Sequence, residues 1–358
     1  MANTILITGG CGFIGANFVH YWLDQQPDDR IIVLDKLTYA ADPECFSDLS
    51  HATKNSVELV VGDIANETLV NQLFVKYGFD SLVHFAAESH VDRSIEAPGE
   101  FIHTNIVGTH VLLAAARRHW STEEQRARNR FHHVSTDEVF GSLDELDPPF
   151  SETTAYQPNS PYAASKAASD HLVRSYFHTY GLNVTTTNCS NNFGPRQDKE
   201  KLIPKMIHNI LAGNKVPIYG DGRNIRDWLF VKDHCRAIAQ VLKTAKPGEV
   251  FCIGGRCEMR NLDIAHSVCT LIDERFKAQP ALAQFFPHCP SARATSSLEL
   301  LEFVVDRQGH DWRYAINDEK FEAVFGALGR THFDEALQLT LDYYLGIMMG
   351  PLATTVDQ

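Results

Sequence analysis

A short β-branched run that breaks on glycines and restarts at helical spacing places the tightest limit on this fold. Thr4-Ile5-Leu6-Ile7-Thr8 is the run and Gly9-Gly10-Cys11-Gly12-Phe13-Ile14-Gly15 the break; apolar side chains then recur helically from Phe13 to Leu23. Strand, tight turn and helix in that order make one arm of a βαβ unit. The G-x-x-G-x-x-G spacing lets a pyrophosphate approach the backbone at the helix N-terminus. Gly9, Gly12, Phe13, Ile14 and Gly15 are therefore candidate cofactor-binding residues. The competing reading is a tight βα turn that holds nothing.

Four further apolar runs follow, at 31–35, 57–61, 81–87 and 130–135, and Asn183 to Asn188 reads as a sixth strand. Helical patterns separate them, notably Thr68 to Tyr77, Phe101 to Arg118 and Ser165 to Tyr180. Strands that are nearly continuous in apolar residues and alternate with helices predict an α/β fold. Its core is a Rossmann-type doubly wound parallel sheet. After Asn188 the rhythm is lost, and proline and glycine crowd 194–226 and 254–309. The expected organisation is a dinucleotide-binding domain over 1–190 that also takes in about 227–252. A smaller mixed α/β substrate region covers 191–345, and 350–358 forms a flexible tail.

Asp35 closes the second apolar run about twenty residues after the glycine turn, where a carboxylate can accept bonds from ribose hydroxyls and would repel a 2′-phosphate. That favours NAD over NADP, although Lys36 beside it weakens the contrast. Asp63 and Ile64 follow the third run and could flank an adenine; an ordinary strand-end cap explains Asp63 equally well.

The chain has 358 residues and a formal charge of −13. Phosphate-backbone binding needs a basic face, so this charge argues against a nucleic-acid partner. Eight cysteines lack any CxxC pair, which fits a reduced cytoplasmic compartment better than a disulfide framework. No run reaches the roughly 18 apolar residues of a membrane span, and the first apolar stretch reads as a strand rather than a signal peptide. Histidines such as His132, His133, His171 and His178 lack zinc-ligand spacing, so no metal is expected.

The chemistry-bearing residues cluster in two segments. Tyr162 and Lys166 stand four apart, on one face of a helix that Pro161 suits as a start. An ammonium beside the phenol would lower its pKa and let the phenolate take a proton from a hydroxyl as hydride leaves the same carbon. Upstream lie Ser135-Thr136-Asp137-Glu138. Thr136 could donate to the same oxygen. A plain dehydrogenase does not need the two carboxyl groups. Neighbouring carboxyls hold different protonation states, because ionising one raises the pKa of the other. An acid and a base beside a hydride-transfer site point to an elimination; the alternative is that the pair only caps the next turn.

With Thr8 to Gly15, the Tyr162/Lys166 pair resembles the extended short-chain dehydrogenase/reductases. Within that superfamily the chain is most similar to the nucleotide-sugar 4,6-dehydratases, the dTDP-glucose group above all. The blocks that carry the likeness are Asp35 to Ala40, Ala86 to Ser94, Ser135 to Gly141, Ser160 to Lys166, Asn188 to Pro195, Ile225 to Trp228 and Asp306 to Asp311. The resemblance implies that Tyr162 takes the C4 hydroxyl proton, Glu138 the C5 proton, and that Asp137 protonates the departing C6 hydroxyl, with NAD holding the hydride meanwhile. It implies Ala86 at the cofactor, Glu88 and Ser89 at the hexose, and Asn191, Lys201, Arg226, Asn261, Arg307 and His310 around the nucleotide diphosphate. It also implies a homodimer packed through helices such as Phe101 to Arg118 and Ser165 to Tyr180. His84 reads instead as a hydrogen-bonded buried histidine. Departures from the pattern are Cys11 for alanine, Phe140 and Phe193 for tyrosines, Gln308 for proline, and a short segment after Gly141. The rival readings are a UDP-, CDP- or GDP-sugar dehydratase, a nucleotide-sugar epimerase or decarboxylase, and an inactive NAD-binding sensor. The acidic pair speaks against an epimerase, which needs neither a C5 base nor a C6 acid.

Overall fold

The computed structural model describes residues 2–306 and 310–350. The expected tail at 351–358 lies outside them. The strands of the first half are β1 (Thr4–Thr8), β2 (Arg30–Asp35), β3 (Val57–Val61), β4 (Ser81–His84), β5 (Arg130–Thr136) and β6 (Val184–Cys189). Later come β7 (Asn191–Phe193), β8 (Val216–Tyr219), β9 (Ile225–Phe230), β10 (Val250–Ile253), β11 (Glu258–Arg260) and β12 (Leu301–Val304).

The main sheet runs β10-β6-β5-β4-β1-β2-β3, with every pair parallel. This is the expected doubly wound order, and alternate side chains of β1 show why both faces must be covered. Ile5 and Ile7 enter one core; Leu6 enters the other. The first core is covered by α1 (Phe13–Gln25), the second by α2 (Glu67–Tyr77), α3 (Thr109–His119) and α4 (Pro161–Tyr180). Beyond these, α5 (Leu202–Ala212) and α6 (Val231–Thr244) return to the α1 side.

The second half contributes to two places. β10 extends the main sheet beside β6, whereas β7, β9 and β11 form a separate small sheet and β8 pairs with β12. The chain order reverses between β1 and β4, so their C-terminal ends diverge and open a crevice, the usual ligand position of such sheets.

One expected helix differs. The pattern from Phe101 to Arg118 is not a continuous α-helix, because a wider π-helical turn occupies Ile102–Gly108 before α3 begins. Such turns re-aim side chains at functional sites. Here the turn brings Asn105 inward, where it is almost fully buried.

Candidate active site

At the β1/β4 crevice the glycine turn faces the loop after β4. A Cβ on Gly9, whose φ is +68°, would sit 2.6 Å from the Ala86 backbone. A Cβ on Gly15 would collide with the Gly9 carbonyl and lie 2.9 Å from Gly10 Cα. Backbone therefore lines a cradle that side chains would fill, as close approach of a dinucleotide requires. Asp35, at the end of β2, is buried and accepts from Cys11 N at 2.9 Å and Leu37 N at 2.8 Å. Each carboxylate oxygen retains a lone pair for a ribose hydroxyl. Asp63 both caps its loop, accepting from Ala65 N at 2.8 Å, and pairs with Lys36 at 2.9 Å.

One cavity of ≈ 300 Å³ starts at this cradle and reaches the chemical residues. Its wall includes Gly9, Gly12, Phe13, Ile14, Gly15, Asp35, Lys36, Asp63, Ile64 and Ala86 from the cofactor set. It also includes Thr136, Asp137, Glu138, Tyr162 and Lys166, together with Glu88, Ser89, Asn191 and Lys201. Residues spread over nearly 200 positions thus converge on one space. The Asn191 side-chain oxygen is buried without a protein partner.

The chemical residues are set by element ends. α4 starts at a Ser160 cap, whose hydroxyl accepts from Ala163 N at 3.0 Å, with Pro161 next. Tyr162 and Lys166 follow on one helix face, and the Lys166 ammonium donates to the Val134 carbonyl at 2.9 Å. Thr136 ends β5, and its hydroxyl accepts from Glu138 N at 3.3 Å. A single 3₁₀ turn, Asp137–Phe140, follows. The turn is therefore capped by Thr136, whose hydroxyl also donates to Asp137 Oδ1 at 3.4 Å, and both acidic residues line the cavity. Thr136 also lies within reach of the Tyr162 hydroxyl, where it favours the phenolate.

Electrostatics separate the two carboxyls. Burial, then the charge of Glu138, holds the Asp137 carboxyl well above the usual carboxylate range. One of its oxygens is buried with no partner. Glu138 is also raised by burial, but Lys201 and Arg226 pull it back. Asp137 is thus the better proton donor and Glu138 the better acceptor. The expected lowering of the Tyr162 pKa is not found. Burial and the Glu138 charge push the phenol well up instead, while burial lowers the Lys166 ammonium. Desolvation outweighs charge here because the phenol is shut away from water before substrate arrives.

Some expected substrate residues stand elsewhere. Arg226 is buried with its guanidinium over the Tyr314 ring at 4.2 Å, donating to the carbonyls of Ile225 at 2.8 Å and Asp311 at 3.0 Å. It reaches the acidic pair by charge rather than as part of the cavity wall. Asn261 opens a helix, with its N–H on the Asn224 carbonyl at 3.0 Å and its side-chain oxygen buried and unpartnered. His310 pairs with Asp306 at 2.7 Å. Neither lines the cavity, and Arg307 lies outside the described residues.

Asn105 was not singled out from the sequence. Its amide donates to the Glu88 carbonyl at 3.0 Å and Ser165 Oγ at 2.8 Å, and its oxygen accepts from Glu88 N at 2.9 Å. It clips the hexose-side loop to α4. A polar residue inside an apolar-spaced helix was the available signal. His84 is the buried, bonded histidine expected, held by Thr8 at 2.8 Å and Thr109 at 2.9 Å. A hydrogen bond with Cys45, then burial, pushes the Cys11 thiol up, consistent with an inert role. Among the described residues no His/Cys/Asp/Glu group could hold a metal ion.

A family model described as GDP-mannose 4,6 dehydratase matches residues 6–340. The dTDP-glucose 4,6-dehydratase of Neisseria gonorrhoeae is 46% identical over 345 residues, covering 96% of each chain. That of Salmonella typhimurium is 46% identical over 351 residues, 95% of this chain and 92% of the relative. Among solved structures, the Bacillus anthracis dTDP-glucose 4,6-dehydratase in complex with NAD superposes with a TM-score of 0.80 at 39% identity, covering 96% of both chains. A UDP-glucose 4-epimerase of Thermus thermophilus, complexed with NAD, gives 0.79 at 25% identity over 96% and 99%. Shape alone therefore does not separate the two reactions.

Proposed function

This chain belongs to the dTDP-glucose 4,6-dehydratases of the extended short-chain dehydrogenase/reductases, and from that premise we propose how its own residues divide the reaction. The protein is an NAD-dependent hydro-lyase that converts dTDP-glucose to dTDP-4-keto-6-deoxyglucose. The observation that carries this reading is the acidic pair, buried Asp137 and half-buried Glu138, on one cavity wall with Tyr162.

The glycine cradle, Asp35, Ile64 and Ala86 would hold NAD, which when bound supplies a temporary acceptor for the C4 hydride and gives that hydride back at C6. Tyr162 receives the C4 hydroxyl proton, aided by the Thr136 hydroxyl and the Lys166 charge. The resulting ketone acidifies the C5–H, which Glu138 removes. Asp137, held neutral by its surroundings, gives its proton to the C6 oxygen, which leaves as water, and Glu138 then returns its proton to C5 as C6 is reduced. Glu88 and Ser89 border the hexose. Asn191 and Lys201 face the diphosphate. Arg226 biases Glu138 toward the ionised base.

Incubation with dTDP-glucose tests the reaction through product mass and the alkali-induced absorbance of a 4-keto-6-deoxy sugar. Loss of one water without net NADH is the expected result. An epimerised product of unchanged mass would remove the roles given to the acidic pair. Turnover of a UDP-, CDP- or GDP-linked glucose in preference would reassign the base.

We further infer a homodimer working in the cytoplasm. Ile95, Ile102, Val107 and Tyr180 expose apolar surface around the π-helical turn and α4, and among the described residues no helix is long and apolar enough to cross a membrane. Sedimentation at micromolar concentration should return twice the chain mass of 40.1 kDa; a monomer would refute it.

A further inference from the structure

Asp170 lies one helical turn beyond Lys166 on the same face of α4, and it is almost fully buried. Four donors converge on its carboxylate. They are His133 Nε2 at 3.0 Å, Ser135 Oγ at 2.9 Å, the Tyr156 hydroxyl at 2.8 Å and Asn188 Nδ2 at 3.1 Å. These come from β5, β6 and the segment before α4, so a single carboxylate joins three parts of the fold immediately behind the reacting residues. The same Asn188 amide donates to the Thr136 carbonyl at 3.1 Å, which extends the linkage to the start of the acidic turn.

So heavily bonded a carboxylate stays ionised despite its burial. The groups facing Lys166 are Asp170 and Tyr162 on its own helix, His84 on β4, His133 on β5 and Cys189 on β6. Burial keeps both histidines neutral and holds the Cys189 thiol protonated. Asp170 is thus the negative charge set against the Lys166 ammonium. We propose that Asp170 is a positioning residue for the reaction, the buried counter-charge that keeps Lys166 an ammonium behind Tyr162 and locks α4 to β5 and β6. It touches neither substrate nor cofactor and acts through Lys166. The inference rests on the dehydratase reading, so wild-type turnover of dTDP-glucose is established first. Failure there concerns that reading and not Asp170.

The test is the Asp170→Asn variant, with kcat and KM measured across pH. Its amide oxygen can still accept from His133 and its NH₂ can donate to the Ser135 and Tyr156 hydroxyls, while the Asn188 amide loses this partner and keeps its bond to the Thr136 carbonyl. The expected result is a kcat lowered about 10- to 100-fold at neutral pH, with KM within about threefold of wild type. The alkaline limb of the kcat profile should move to lower pH by at least about one unit, because an ammonium without its counter-ion loses its proton sooner. Asp170→Glu, which keeps the charge, should return the limb to its wild-type position. An unshifted limb in Asp170→Asn, or a loss confined to KM, would overturn the proposal. Should that variant fail to fold, the paired Ser135→Ala and Tyr156→Phe variants decide. They weaken the clamp and leave the charge, so the limb should stay; a limb that moves with them would make the network, and not the charge, responsible.

Discussion

Each residue of the acidic pair carries an electrostatic cost that the reaction uses. Asp137 is neutral in the fold and ionised in the unfolded chain at neutral pH, so folding must take up a proton. A carboxyl whose pKa is raised on folding removes stability as pH climbs above its ordinary value. Asp137→Asn, neutral at every pH, should therefore be more stable than wild type at pH 7 to 8. The gap should vanish near pH 4 and widen by at most about 1.4 kcal/mol per pH unit between. Thermal melting at several pH values checks this; a variant equally stable or weaker at pH 8 would deny the neutral acid. Activity should move the other way. Asp137→Asn and Glu138→Gln should each slow water loss about 10²- to 10⁴-fold. C4 oxidation should survive, visible as NADH absorbance that builds up and persists after dTDP-glucose is added. Tyr162→Phe should instead block that absorbance from forming.

At the scale of elements, the β1–turn–α1 unit ties fold to cofactor most tightly. Gly15→Ala places a methyl against the Gly9 carbonyl and Gly10 Cα, which are backbone atoms unable to swing aside. A cost of about 1 to 3 kcal/mol is expected, together with loss of NAD from protein that is saturated with it and then desalted. Absorbance of the released cofactor after denaturation measures it, and full occupancy in a folded variant would contradict the cradle. This unit was legible in the sequence because strand, glycines and helix are contiguous, and the same holds for Tyr162/Lys166 and Thr136 to Glu138. What was not legible depends on which strands become neighbours. Asp170 gathers His133, Ser135, Tyr156 and Asn188 only once β5 lies beside β6 and under α4. The π-helical turn was hidden because its apolar spacing mimics an α-helix. Nor did the sequence place Arg226, whose match to a family block suggested a ligand contact. The fold instead fastens it to carbonyls of Ile225 and Asp311, behind the acids. The pKa of Tyr162 also went astray for a spatial reason: helix spacing revealed the nearby ammonium but not the degree of burial.

Across the whole molecule, two sets of buried ionisable groups pull stability in opposite directions with pH. The cavity carboxyls Asp137 and Glu138, and Asp227 buried on β9, are raised chiefly by burial, and each favours the fold as pH falls. His84, His132 and His133 in the sheet and His234 on α6, all buried, are lowered chiefly by burial. Each stays neutral in the fold while the unfolded chain takes up protons below about pH 6.5, so each removes stability as pH falls. His234 isolates the second effect, since burial alone pushes it down to about 3. Its Nδ1 bonds Asn192 Oδ1 at 2.9 Å and its Nε2 has no partner. An asparagine there can reproduce the Nδ1 donor and cannot titrate. His234→Asn should lose stability at pH 7.5, where removing ring volume from the core leaves a cavity. Below pH 6.5 it should gain on wild type by up to about 1.4 kcal/mol per unit. Urea unfolding at pH 7.5, 6.0 and 5.0 reads the difference directly. A constant offset between variant and wild type would show that His234 titrates alike in both states, and the loss of stability at low pH would then have to come from His84, His132 and His133.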